Sequence, residues 1–303
     1  MGSFLKGAID MHIHIGPDDG PRYSSSIGLA RQAAASGMAG LVLKDHLTQS
    51  VQKAKLTMEV VPNIEVIGGI TLNHTVGGLY PRSLLSAIKT GAKIVWMPTV
   101  DAAFCLRKAR EGHWIKKYVE KKSMGYTVEG ISLLDANAKL TKEAMDILHI
   151  AADHDIVLST GHISPEECLA LAEAADKIGF RKLTICHPNA WLEDFTPEIL
   201  QQLAGGGAYL ELSFGVCSPL HGRQHPQEIA DIVKLVGVKR CIMITDYGQV
   251  ESPSPVEGLR VYGELMMDCG ITPDELEVMI KENPAKLLGI AAGPETSSET
   301  MEG

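Results

Sequence analysis

The sequence predicts an α/β fold, a single-domain (β/α)8 barrel of the TIM type with an insertion between its fourth and fifth strands. Three observations predict it. Eight short apolar runs that end in polar residues alternate with longer amphipathic stretches, the order expected of a parallel sheet wrapped by helices. The chain has 303 residues, enough for one barrel of about 250 with modest insertions. The composition is 45% hydrophobic but only 5% aromatic, which suits Val, Ile, Leu and Ala packed between parallel strands and helices. A count of eight selects a closed barrel over an open sheet.

The runs fall at residues 8–15, 40–46, 65–74, 92–99, 155–162, 182–187, 208–214 and 239–246. Between them, helices are expected at 27–36, 81–89, 141–154, 165–178, 197–203 and 227–236, several opened by Tyr-Pro, Ser-Pro or Thr-Pro start signals. Two more, at 273–282 and 284–290, complete the shell. The longest interruption, 100–139, is long for a connection without a role and is the candidate lid. Within it, the Asp135-Ala-Asn turn signal suits a small hairpin over 129–138. Residues 1–292 are read as one domain and the small, polar, acidic stretch 293–303 as a disordered tail.

A net charge of -9 argues against nucleic-acid and anionic-membrane partners, which require a concentrated basic surface. The basic cluster from Arg107 to Lys122 is interrupted by acids; it reads as a solvated helix face or as part of a lid that attracts anions. Six cysteines lack paired spacing, so neither a zinc knuckle nor a disulfide framework is indicated. No run reaches the roughly 18 apolar residues of a membrane span, and no export signal opens the chain. The expectation is a cytoplasmic protein with a small-molecule substrate, open to homo-oligomerisation.

The chemistry concentrates at strand ends. Asp10, His12 and His14 alternate along the first run, and alternation points all three to one side. His162, His187 and Asp246 each close a different strand, and in this architecture those ends meet at one mouth, where active sites are built. Four imidazoles and a carboxylate gathered there are costly to bury unless paired or bound to a cation.

This arrangement resembles the amidohydrolase superfamily. The matching residues are His12 and His14 in Asp-Met-His-Ile-His, His162 in Thr-Gly-His, His187 in Cys-His-Pro and Asp246 in Ile-Thr-Asp, with Asn283-Pro-Ala-Lys-Leu-Leu-Gly289 similar to its terminal helix. The resemblance covers about residues 8–290. It implies a metal-dependent hydrolase whose cation, held by His12, His14, His162, His187 and Asp246, activates a water against a cyclic amide, amide or lactone. Asp246 would be both ligand and the base that moves the proton. Imidazole-rich ligation favours Zn2+, with Mn2+, Fe2+ and Ni2+ accepting similar donors, one or two ions per chain. The alternative, drawn from other members of the superfamily, is a metal-dependent non-oxidative decarboxylase of an unsaturated or aromatic acid.

There is one departure. Many members carry a bridging carboxylated Lys or Glu at the end of strand four, where this chain has Trp96-Met97-Pro98-Thr99. Lys44 and His46 close strand two instead. Lys44 has three readings: a carboxylated bridge between two metals, a substrate-binding cation, or a structural ion pair with Asp45 or Asp10. His46 and His74 read as substrate contacts or a polar rim. Arg22, Asn73, Tyr80 and Asn189 follow strand ends, where loop residues set specificity.

Overall fold

The computed structural model describes residues 4–290 except Met124, Tyr126 and Leu220, so the stretch expected to form a tail lies outside the described residues. Eight parallel strands follow one another in chain order around the sheet: β1 (Ile9–His14), β2 (Gly40–Lys44), β3 (Glu65–Thr71), β4 (Ile94–Trp96), β5 (Val157–Ser159), β6 (Leu183–Ile185), β7 (Tyr209–Ser213) and β8 (Cys241–Ile244). Their predicted ends extended further because the last residues of each run leave the ladder to form the mouth loops. Two backbone bonds join β1 to the β8 exit, His14 N to Tyr247 O at 2.8 Å and Asp246 N to His12 O at 3.0 Å. The architecture is the expected (β/α)8 barrel.

The helical shell runs α1 (Ser26–Ala35), α2 (Val51–Val60), α3 (Pro81–Thr90), α4 (Ala103–Arg110), α5 (Lys116–Lys122), α6 (Lys142–Asp153), α7 (Pro165–Lys177), α8 (Pro197–Gly205), α9 (Pro226–Val236), α10 (Pro255–Asp268), α11 (Pro273–Glu277) and α12 (Asn283–Leu288). Caps explain several starts. Ser164 and Glu167 form a reciprocal capping box ahead of α7, as do Thr272 and Glu275 ahead of α11. A π turn, Val278–Glu282, connects α11 to α12 without a break. α2, α4, α5 and α10 are additions to the helices legible from periodicity.

Side-chain alternation splits the core in two. Ile9, Met11, Val42, Ile67, Ile94 and Trp96 fill the lower barrel with Leu287 and Leu288 of α12. The outward-facing set, including Ile13, Leu41, Leu43 and Val95, packs beneath the helices. The lumen is therefore a packed floor, and only the mouth is left for polar groups. Above it, the 100–139 insertion holds α4 and α5; the expected hairpin is reduced to an isolated Leu134–Leu140 bridge around the Asp135 turn.

Candidate metal centre and pocket

β1 carries a register shift between Asp10 and Ile13, where two residues stand opposite one on β2. The bulge changes the alternation. His12 and His14 face the mouth, whereas Asp10 binds the neighbouring β8 exit: its carboxylate accepts from Thr245 Oγ1 at 2.5 Å and from the Thr245 and His12 backbone N–H groups, each at 3.2 Å. The expectation that Asp10 points with the two histidines is corrected by this bulge. Burial pushes the Asp10 carboxyl up to about 7 despite those hydrogen bonds.

His12, His14 and Asp246 each offer a ligand atom within 4.8 Å of the others. Asp246 Oδ1 lies 3.1 Å from His14 Nε2 and 3.3 Å from His12 Nε2. A second group within the same limit is His12, Cys186 and His187, the Cys186 thiol being an addition to the ligands read from the sequence. His162 sits one ring further, its centroid 4.9 Å from that of His187 and its Nδ1 3.6 Å from Cys105 Sγ.

The backbone is shaped for this convergence. His187 and Asp246 hold left-handed conformations with φ of 30° and 57°, which cost about 1–3 kcal/mol each and persist where surroundings over-determine them. Gly161, at φ 60°, sets up His162: any Cβ there would overlap the Met97 and Pro98 carbonyls.

The donors fit a divalent cation. His12 Nε2, His14 Nδ1 and His187 Nδ1 are buried without a hydrogen-bond partner, an arrangement that costs free energy unless something else binds there. Burial drives the His14 and His187 imidazoles down to about 3 and 4, and the His162 imidazole well below its usual range. Burial opposes ionisation of Asp246, but the facing His12, the hydrogen bond from His14 and His187 outweigh it and hold the carboxyl well below its usual range. Neutral imidazole and ionised carboxylate are the states that bind metal.

One buried carboxylate at the site was not legible as such. Glu211, in the middle of β7 and fully buried, approaches His12 Nδ1 at 3.4 Å through Oε2, while Oε1 accepts from Ser159 Oγ at 3.2 Å and from Thr184 Oγ1. Burial raises its pKa, yet the His12 and Thr184 contacts bring it below the ordinary value. The available signal was its alternation with inward-facing Tyr209, flanked by Leu210 and Leu212 in β7.

Lys44 is 2% exposed, with Nζ 3.8 Å from Cys186 Sγ and 5.6 Å from the Trp96 ring. Neither acid expected as its partner reaches it: Asp45 pairs with Lys53 at 2.6 Å and with the Leu47 and Thr48 N–H groups, and Asp10 is held by Thr245. His46 stacks on His14 with centroids 5.0 Å apart and shares a 2.8 Å hydrogen bond with Thr99 Oγ1.

A cavity of about 570 Å³, including its open mouth, leads to this cluster. His14, His46, His162, His187 and Asp246 line its inner end, with Lys44 beside them. Trp114, Ile115, Tyr118 and Lys122 of the insertion form its roof, and Arg22 and Gln249 its rim. Tyr118 OH meets His221 Nε2 at 2.5 Å, tying α5 to the loop after β7. Lys122 joins Asp18 and Asp19, tying α5 to the loop after β1.

The other strand-end residues lie elsewhere. Asn73 is a buried clamp between His46 O, at 2.9 Å, and Thr99, at 2.8 Å. Asn189 clamps Ser213 and Gln224 in the same way. His74 is exposed and meets Asp101 and Glu129, and Tyr80 is 51% exposed on a separate surface groove. None of the four lines the cavity. Position after a strand does not dictate where a loop side chain points.

The fold is similar to that of solved amidohydrolase-type barrels. Similar solved structures include an amidohydrolase from Pseudomonas aeruginosa (10% identity, 96% of this chain and 98% of that chain, TM-score 0.62). A protein described as a 2-pyrone-4,6-dicarboxylic acid hydrolase, from Pseudomonas putida, gives 15% identity over 94% and 98% at TM-score 0.60. The phosphotriesterase homology protein from Escherichia coli, solved with phosphate in its active site, gives 10% identity over 94% and 99% at TM-score 0.56. At such identities the likeness is one of fold. No curated protein matches the sequence. Residues 7–211 match the model of a family of unknown function, DUF6282, and the chain belongs to that family.

Proposed function

We infer that this protein is a metal-dependent hydrolase acting on a small cyclic amide, amide or lactone, with zinc as the favoured metal. The observation that carries the reading is the convergence of His12, His14 and Asp246 within 4.8 Å, beside buried imidazole nitrogens that lack partners. His12, His14, His187 and Asp246 would hold the cation, with His162 adjacent. When bound, it supplies Lewis-acid polarisation of the scissile carbonyl and a water more acidic than bulk.

The chain's own residues do the rest. Asp246, ionised and facing both imidazoles, accepts the proton of the attacking water and passes it to the leaving nitrogen or oxygen. Burial keeps the His14, His162 and His187 imidazoles neutral, so they offer lone pairs and do not compete for that proton. Glu211 orients His12. The roof formed by Trp114, Ile115 and Tyr118 limits bulk water at the reacting centre. Six free cysteines support a reducing, cytoplasmic setting, and no helix among the described residues is long and apolar enough to cross a membrane.

The test is isotopic. Protein purified without chelator should carry at least one equivalent of divalent transition metal and incorporate one solvent oxygen-18 into the product of an amide or lactone substrate. Stoichiometric carbon dioxide with no solvent oxygen in product would replace hydrolysis with decarboxylation.

A further inference from the structure

Two features at the cavity rim are not used by the chemistry above. Arg22, with a side chain 9% exposed, directs Nε and Nη2 at Asp18 Oδ2, at 2.7 and 2.5 Å. Its Nη1 has no partner among the described residues and the side chain lines the cavity. Gln249 donates from Nε2 to Asp246 O at 3.2 Å, which fixes the amide orientation, since a flipped amide would set oxygen against oxygen. Its Oε1 is thereby left buried and without a partner. The two rim residues are neighbours: Tyr23 N donates to Gly248 O at 2.8 Å, and a Cβ at Gly248 would collide with His14, so this loop is seated directly on β1.

A guanidinium edge asks for a carboxylate or similar oxyanion. A buried, unpaired amide oxygen asks for an N–H or O–H. Between them the wall is apolar and aromatic, formed by Trp114, Ile115, Tyr118 and Val216. Arg22 and Lys122 are offset by Asp18 and Asp19, so the rim selects by direction more than by net charge.

Building on the metallo-hydrolase reading, we propose that the substrate is a small amide bearing a free carboxylate and an apolar ring or side chain, its carboxylate held by Arg22 Nη1 and its N–H by Gln249 Oε1. Lactones and neutral amides are then secondary ligands, because an ester oxygen offers Gln249 no donor and a neutral amide leaves Arg22 unpaired.

The proposal is tested with three matched probes, benzoylglycine, its methyl ester and O-benzoylglycolate, titrated into the protein as purified by calorimetry and Trp fluorescence. Benzoylglycine should bind saturably, with the methyl ester and the O-benzoylglycolate weaker by about ten- to a hundredfold and about fivefold or more. Arg22→Met should erase the first difference and Gln249→Met the second. If Arg22→Met fails to fold by circular dichroism, Arg22→Lys carries the test: it should weaken benzoylglycine while leaving the methyl ester unchanged. Equal binding of all three probes, no saturable binding of benzoylglycine up to about 10 mM, or unaltered discrimination in the variants overturns the proposal. The expected binding pattern without turnover or solvent-oxygen incorporation would support this recognition and count against hydrolysis. Turnover of neutral substrates with no discrimination would overturn the recognition and leave hydrolysis standing.

Discussion

The backbone N–H of Asp246 donates to the carbonyl oxygen of His12 at 3.0 Å, so one of the two bonds that join β1 to the β8 exit also sets the spacing of the candidate metal ligands. The Asp246 carboxylate then lies 3.3 Å from His12 Nε2 and 3.1 Å from His14 Nε2. Its left-handed φ of 57° aims the side chain back across the mouth.

Asp246→Asn keeps the size and one oxygen donor but removes the base. With His12, His14 and His187 intact, elemental analysis should show most of the metal retained. Turnover should fall by at least about a hundredfold, the usual cost of losing a general base. A metal-replete variant with near wild-type turnover would assign proton transfer to another group.

Much of this candidate centre could be read from the sequence because candidate ligands at strand ends inherit the period of the strand. His14 ends β1, while His187 and Asp246 each lie two residues past β6 and β8. What periodicity cannot show is a change of phase. The bulge in β1 turns Asp10 away from the mouth, and no pattern in Asp-Met-His-Ile-His announces it. Loop side chains have no period at all, which is why Asn73 and Asn189, equally placed after strands, proved to be backbone clamps. α4 and α5 are short and rich in Lys and Arg, so the apolar roof residues of this stretch, Trp114 and Ile115 in the connection between them and Tyr118 in α5, are hidden among charges.

Glu211 makes a separate prediction. Its contact with His12 Nδ1 orients the imidazole and leaves Nε2 directed at Asp246, the kind of outer partner that fixes a ligand's tautomer. Glu211→Gln preserves volume and a hydrogen-bonding group, but a neutral amide holds the imidazole less firmly. Zinc affinity by competition with a chelator should drop about 10- to 100-fold, with the far-UV circular dichroism unchanged. Equal affinity in the variant would restrict Glu211 to filling the barrel.

Lys44 stands beside the ligand cluster with no carboxylate within 4.0 Å among the described residues. An ammonium there would face a divalent cation, and carboxylation removes that conflict by turning the positive group into a ligand. The expectation is that 13C-bicarbonate adds a carbamate resonance to the metal-loaded protein and that Lys44→Met loses both the resonance and about one metal equivalent. Unchanged metal content together with weaker binding of anionic ligands would show that Lys44 remains an ammonium.

Asp10 predicts a pH dependence of stability with a definite sign. Burial raises its carboxyl from the ordinary 3.8 to about 7, so between those values the folded protein keeps a proton that the unfolded chain has released. Stability from this group therefore falls as pH rises from about 4 to about 7 and is flat above. The buried imidazoles act in the opposite direction. His14 and His187, lowered to about 3 and 4, withdraw stability as pH falls below 6.5, so the wild-type curve mixes the two. Asp10→Asn separates them: Asn can accept from the Thr245 and His12 N–H groups and donate to Thr245 Oγ1, but does not titrate. Across that window the shift corresponds to a few kcal/mol at most, or several degrees in Tm for a chain of this size. Wild type should lose several degrees relative to Asp10→Asn between pH 5 and pH 7.5, and parallel Tm curves would mean that Asp10 is already ionised in the fold.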